Sequence, residues 1–248
     1  MISFLGLCVQ NLITSVKYLL SGEMRLKNML NQAAAISYDS LPISLIISFI
    51  AAAVIAIQVS KQFLMTGADT YIGGTITLVI IREIAPGFTA LAISARAGTS
   101  ISAEIANMQV TSQVDAIKTS KVNPVGYFFT PRITAGMLTV PLVVIITELI
   151  GIIGGMIVSY ATIGLHPNRY INSVWLWLQT RDIYISLIKA SVFGGIVALV
   201  CATQGYLTHG GAKDVGKSTT QAAIKSTIIL LIADFVINIL FYLNRSIL

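Results

Sequence analysis

Charge is the scarcest feature of this chain. Asp, Glu, Lys and Arg make up 10% of its 248 residues, against about 25% in an ordinary globular domain. So few charges cannot coat a water-soluble particle of this size, which excludes the soluble, disordered and coiled-coil classes. Cysteine is almost missing too. Cys8 and Cys201 stand far apart in apolar surroundings, so neither a disulfide framework nor a metal-ligand spacing is visible, and no cofactor is expected. The first residues carry no basic run and no small-residue cleavage site, so no signal peptide is expected.

What is abundant is apolar. The hydrophobic share is 55% and the mean hydropathy is +0.83. In a soluble protein the net charge of +6 would suggest nucleic acid. No nucleic-acid partner is expected here, because the apolar residues come in blocks of membrane-spanning length.

Residues 1–32 form the exception. Leu5, Val9, Leu12, Val16 and Leu19 recur at steps of three and four, with Lys17, Glu23, Arg25 and Lys27 on the polar side. This pattern predicts an amphipathic helix lying in the membrane interface. Residues 33–248 are expected to form the membrane domain, with spans at 41–59, 72–95, 133–160, 183–206 and 224–243. Backbone groups in lipid must be satisfied internally, and segments of this length without strict alternation are helices. The expected fold is all-α and polytopic, with an N-terminal interfacial helix and five transmembrane helices.

Loop charges orient the spans. Nine cations (Lys17, Arg25, Lys27, Arg96, Lys118, Lys121, Arg132, Lys213 and Lys217) fall with the N-terminus and loops 96–132 and 207–223. Four (Lys61, Arg169, Arg181 and Arg245) fall on the other side. The first set is therefore expected in the cytoplasm or its equivalent. Trp175, Trp177 and Tyr184 then lie near the outer interface.

Gly211 to Ser218 matches the phosphate-loop pattern letter for letter. Such a loop works because a buried strand and a following helix aim N–H groups at phosphates. Here membrane-length apolar segments stand on both sides, so a cytoplasmic turn is expected instead.

Several motifs together carry a resemblance. They are Arg82-Glu83-Ile-Ala-Pro86-Gly87, Ala95-Arg96-Ala-Gly98, and the run from Ala103-Glu104 through Met108 to Asp115. Asn123-Pro124, Pro131-Arg132, Lys189 to Gly194, Gln204-Gly205-Tyr206, Gly216 to Thr220 and Asp234-Phe235 complete the set. The sequence from about residue 40 onward resembles the MlaE family, the permease subunits of ABC transporters for phospholipids and related lipids. The resemblance implies a homodimeric permease that is not itself an enzyme. It also implies a separate cytoplasmic ABC ATPase and an MCE-type lipid-binding protein as partners.

Ile101, Ile105 and Met108 share a helical face in the segment near 100–118, with Glu104, Asp115 and Lys118 beside it. An amphipathic helix there can dock into a groove on an ATPase. Charges inside the spans are the other signal, because a central charge usually faces a partner or a water-filled cavity. Arg82 and Glu83 are adjacent and point to different sides, and Pro86 frees the Arg82 carbonyl and favours a kink. In the family, positions matching Arg82, Glu83 and Lys189 lie around the lipid pocket. The plain alternative is structural pairing, Glu83 with Lys189 and Arg82 with Glu148 or Asp234. Gly151, Gly154 and Gly155 are expected to serve close helix packing.

The function expected is a permease subunit for a phospholipid or glycerolipid, energised by a partner ATPase. The alternatives are a proton-coupled secondary transporter, using Glu83, Glu148 and Asp234, or a non-transporting membrane scaffold. Isoleucine is the commonest residue, 38 in all, which hints at an AT-rich genome. The expected location is a plastid envelope or a bacterial inner membrane.

Overall fold

A computed structural model describes residues 2–22 and 26–243. Glu23, Arg25 and Arg245 lie outside the described residues. The described chain is helical throughout, with no strand. Its elements are α1 (Ile2–Leu20), α2 (Leu26–Ser37), α3 (Leu41–Met65), α4 (Ile72–Val79), α5 (Thr89–Ile93) and α6 (Thr99–Val110). They continue as α7 (Gln113–Thr119), α8 (Pro124–Ile163), α9 (Pro167–Trp177), α10 (Thr180–Tyr206) and α11 (Ala212–Asn238). Six helical stretches are long and apolar enough to cross a membrane. Four contain the expected spans 41–59, 72–95, 133–160 and 183–206, and a fifth, Ala212–Phe241, covers all but the last two residues of 224–243. The sixth, Ser3–Leu20, lies in α1 and is among the least hydropathic.

The helices outrun the expected spans at the ends where polar residues begin. α8 starts at Pro124 rather than near 133, with Asn123 Oδ1 accepting from the Val125 N–H at 3.0 Å. An Asn cap followed by Pro in the first turn is a strong helix start. α11 starts at Ala212 rather than near 224. The expected turn over 211–218 is thus corrected to a helix beginning. Lys217 pairs with Asp214 at 3.1 Å, and Ser218 Oγ donates to the Gln204 carbonyl at 3.1 Å. The lysine and serine a phosphate loop would present are spent on α11 itself and on α10.

Contacts divide the chain into two compact units. One comprises Met1–Ser40, Ile93–Val140 and Ser191–Leu248; the other comprises Leu41–Ala92 and Pro141–Ala190. In the first, α6 packs along α11, and the α8 and α10 backbones touch. A Cβ on Gly194 would stand 2.2 Å from the Gly136 carbonyl oxygen. α1 buries Phe4, Cys8, Asn11 and Ser15, and leaves Leu5, Val9, Leu12, Val16 and Leu19 exposed. The expected apolar stripe exists and faces outward.

In the second unit, α3 buries Ser44, Ser48, Ala52, Ala56 and Ser60, one every fourth residue. Small side chains let backbones approach closely. Ser48 Oγ donates to the Thr147 carbonyl at 2.8 Å and Ser60 Oγ to Ser159 Oγ at 3.2 Å, both across 99 residues. The constant offset means α3 and α8 run parallel there. Gly151 and Gly155 sit in this packing against Ile80 and Ile76.

Candidate functional site

The site grows out of a helix that changes pitch. α4 continues without a break into a π-helix over Ile80–Phe88, which contains Pro86. In an α-turn the Arg82 carbonyl would look to the N–H of residue 86, which proline lacks. A π-turn moves that demand one residue on. The expected kink is therefore realised as a change of pitch. Single π-turns inside α-helices concentrate at functional sites.

The wider turn presents two adjacent charges to α10. Arg82 Nε donates to Asp182 Oδ1 at 2.8 Å. Lys189 Nζ donates to Glu83 Oε1 at 3.1 Å and to the Arg82 carbonyl at 2.8 Å. Lys189 is completely buried, while the Glu83 side chain is 45% exposed and that of Arg82 32%. One member of each pair is thus held inside and the other reaches outward. The three residues expected to act together do meet, around one carbonyl. Glu148 is corrected as the carboxylate on Arg82: the structure places Asp182 there, and Glu148 accepts from Ser186 Oγ. Sequence reasoning missed Asp182 because it stood at the edge of a loop. Its place in the first turn of α10, one residue after Arg181, carried no signal of a partner 100 residues away.

The segment expected to meet an ATPase lies in the other unit. α6 and α7 are joined at Thr111 and Ser112, the latter with φ of 58°. Ile101 and Ile105 are buried, packing α6 inward, whereas Glu104 and Asp115 are exposed. Glu104 Oε2 accepts from Arg132 Nη2 at 2.7 Å, and the Arg132 side chain is 5% exposed. Half-buried Met108 lines a cleft of about 180 Å3 with Asn31, Gln32, Tyr127 and Arg132. Asp115 pairs with Lys118 at 2.9 Å, and this hydrogen bond raises the lysine pKa above its usual value. Arg132 was legible only as a loop cation; its burial beside Glu104 depends on α8 starting early. Among the described residues, no three His, Cys, Asp or Glu side chains are grouped to hold a metal ion.

An all-helical polytopic protein that keeps paired charges inside its membrane-length helices has the architecture of a transporter. Residues 29–240 match the family described as Permease MlaE, and the chain belongs to that family. It is 35% identical over 225 residues to a probable ABC transporter permease protein of Synechocystis sp., covering 91% of this chain and 86% of that one. It is 34% identical over 228 residues to a probable ABC transporter permease protein of Rickettsia prowazekii, covering 92% and 88%. It is 32% identical over 224 residues to Protein TRIGALACTOSYLDIACYLGLYCEROL 1, chloroplastic, of Arabidopsis thaliana, covering 90% and 64%. The chain is an ABC-transporter-type permease, integral to a bacterial or plastid membrane.

Proposed function

We propose that this permease moves a phospholipid or glycerolipid, with Arg82, Glu83 and Lys189 facing the lipid head group. The observation that carries this is the fully buried Lys189, tied at once to Glu83 and to the carbonyl of Arg82. Membrane helices rarely keep such charges, and those that do mark substrate pathways. The outward-reaching Arg82 suits a phosphate, which the guanidinium fork recognises better than a neutral side chain does. The Arabidopsis relative carries a glycerolipid in its name.

Energy comes from a separate cytoplasmic ABC ATPase that meets the exposed side of α6 and α7, at Glu104, Met108 and Asp115. Ile101 and Ile105 support that surface from behind. The working unit is a homodimer that receives or delivers lipid through an MCE-type protein, and α1 lies in the membrane interface. The test is lipid transfer between vesicles by the permease co-purified with its ATPase. ATP-dependent transfer should fall at least tenfold in Arg82→Met. Transfer that ignores ATP and follows a proton gradient would replace this reading with the proton-coupled one.

A further inference from the structure

Both tryptophans of the chain, Trp175 and Trp177, lie on the short helix α9. Its two faces differ sharply. Tyr170 and Ser173 are buried against the start of α4. A Cβ on Gly73 would stand 2.4 Å from the Tyr170 carbonyl oxygen, and Ser173 Oγ accepts from the Gly74 N–H at 2.9 Å. The opposite face carries Ile171, Trp175 and Leu176, exposed to 43, 77 and 78%. Asn168 and Asn172 are exposed among them, so the face mixes large apolar side chains with amides, as a helix lying at a membrane boundary does.

The chain fixes where that surface is. Three residues join α9 to the end of α8 at Ile163, and two join it to the start of α10 at Thr180. At about 3.8 Å per residue step, both ends of α9 stay within roughly 15 Å of the ends of membrane-length helices. Indole rings prefer the depth where hydrocarbon meets head groups. α9 contains no acidic residue, and its one cation, Arg169, pairs with Asp69 at 3.7 Å.

We propose that α9 is an interfacial anchor, with its Ile171–Trp175–Leu176 face seated in the bilayer at the head-group boundary. The partner of this surface is lipid. The anchor also connects to the site. The Gln179 N–H donates to Asp182 Oδ2 at 3.3 Å, and Asp182 holds Arg82. Gly73 and Gly74, locked to α9, open the helix that becomes the π-turn. A lipid-seated α9 therefore sets the depth at which Arg82 is presented; this second step rests on the lipid-permease reading, whereas the anchor does not.

Because α9 holds every tryptophan, the fluorescence of the whole protein reports this helix alone. The full-length chain is reconstituted in phosphatidylcholine vesicles whose acyl chains are brominated either near the glycerol or near the terminal methyl, with iodide as the aqueous quencher. Trp177→Phe leaves Trp175 as the sole reporter. Trp175 should be quenched at least twofold more by shallow than by deep bromines. It should also be shielded from iodide at least threefold relative to free tryptophan. Trp177, packed edge-on to Tyr71 at 5.6 Å, should respond less to both. Strong iodide quenching of Trp175 would put the face in water. Quenching by neither agent would put a protein on it. Either result overturns the proposal, as does stronger quenching by deep bromines. Should Trp177→Phe fail to insert, the wild-type signal minus that of Trp175→Phe gives the same comparison. Leu176→Asp should then cut lipid transfer at least threefold. If wild-type protein transfers no lipid, the lipid-permease reading fails while the quenching result still decides the anchor.

Discussion

Removing Glu83 and removing Lys189 should not cost the same. Lys189 is fully buried, and the Glu83 side chain beside it is 45% exposed. Glu83→Ala strands a buried ammonium without its carboxylate, and breaking a buried pair in that way costs ~3–5 kcal/mol. Lys189→Met leaves a carboxylate that already reaches outward. It also relieves the desolvation of the lysine, which offsets much of the ~1.5–3 kcal/mol lost with its charged hydrogen bonds. The net cost should be about 1 kcal/mol, and the double variant should match it. At roughly 2–4 °C per kcal/mol for a chain of this length, Glu83→Ala should lower Tm by roughly 10 °C. Lys189→Met and the double variant should lower it by about 3 °C on the same scale. Thermal unfolding in one detergent, beside lipid transfer in vesicles, measures both quantities. Equal losses in the two single variants, or a larger loss in Lys189→Met, would refute the asymmetry. If transfer returns in the double variant together with stability, the pair is structural and Glu83 and Lys189 leave the site.

Cysteines introduced at Lys121 and Lys213 should react only with membrane-permeant reagents, and one at Arg169 with impermeant ones; identical labelling of Lys121 and Arg169 would break the charge-based topology. Glu104→Arg faces a second cation onto the buried Arg132 and should cost ~3 kcal/mol or more, read as lost thermal stability. Asp115→Arg, at an exposed pair, should leave stability unchanged and weaken ATPase association in a pull-down; full association would move the docking surface elsewhere. Gly194→Ala drives a methyl into the Gly136 carbonyl, 2.2 Å away, and should cost ~1–3 kcal/mol or more; a stable, fully inserted variant would mean the two helices part easily.

The five spans were legible because hydropathy and length mark them and a helix satisfies its backbone in lipid, although the same two criteria also admit Ser3–Leu20. Helix ends were not, since residues 124–132 carry Pro124, Gly126 and Pro131 and residues 212–223 are polar, so that both pass for loop; capping at Asn123 and pairing within Asp214–Lys217 begin the helices there. Pro86 announced a disturbance and its orphaned carbonyl, and Lys189 does reach that oxygen. The pitch of the disturbance was not readable. The Glu83–Lys189 pair could be named from the sequence as one structural pairing among the few charges inside the spans, and its link to Arg82 only through the family resemblance. Asp182 was not, because pairing across helices depends on rotation about axes that no local pattern encodes. The same gap hid the inward turn of Ile101 and Ile105: an apolar stripe looks alike whether it faces a partner or its own neighbour.

A surface that repeats does not know its own position. α3 offers α8 a small residue at every fourth place from Ser44 to Ser60, so a shift of one repeat, about 6 Å along the axis, would put Ser or Ala where Ser or Ala had been. Steric fit therefore fixes how near the two helices come and says little about phase. Phase is left to side-chain markers, the Phe49 ring over Gly154 and the Ser60 hydroxyl on Ser159, because the Ser48 hydroxyl meets the Thr147 backbone carbonyl, a group that every residue of α8 offers. The two hydroxyl contacts are separated by the same interval on both helices, 60 − 48 = 12 and 159 − 147 = 12 residues. A slip of one repeat would let Ser48 find another carbonyl, but it would set Ser60 against Gly155 or Ile163, neither of which carries a hydroxyl, and would take the Phe49 ring off Gly154.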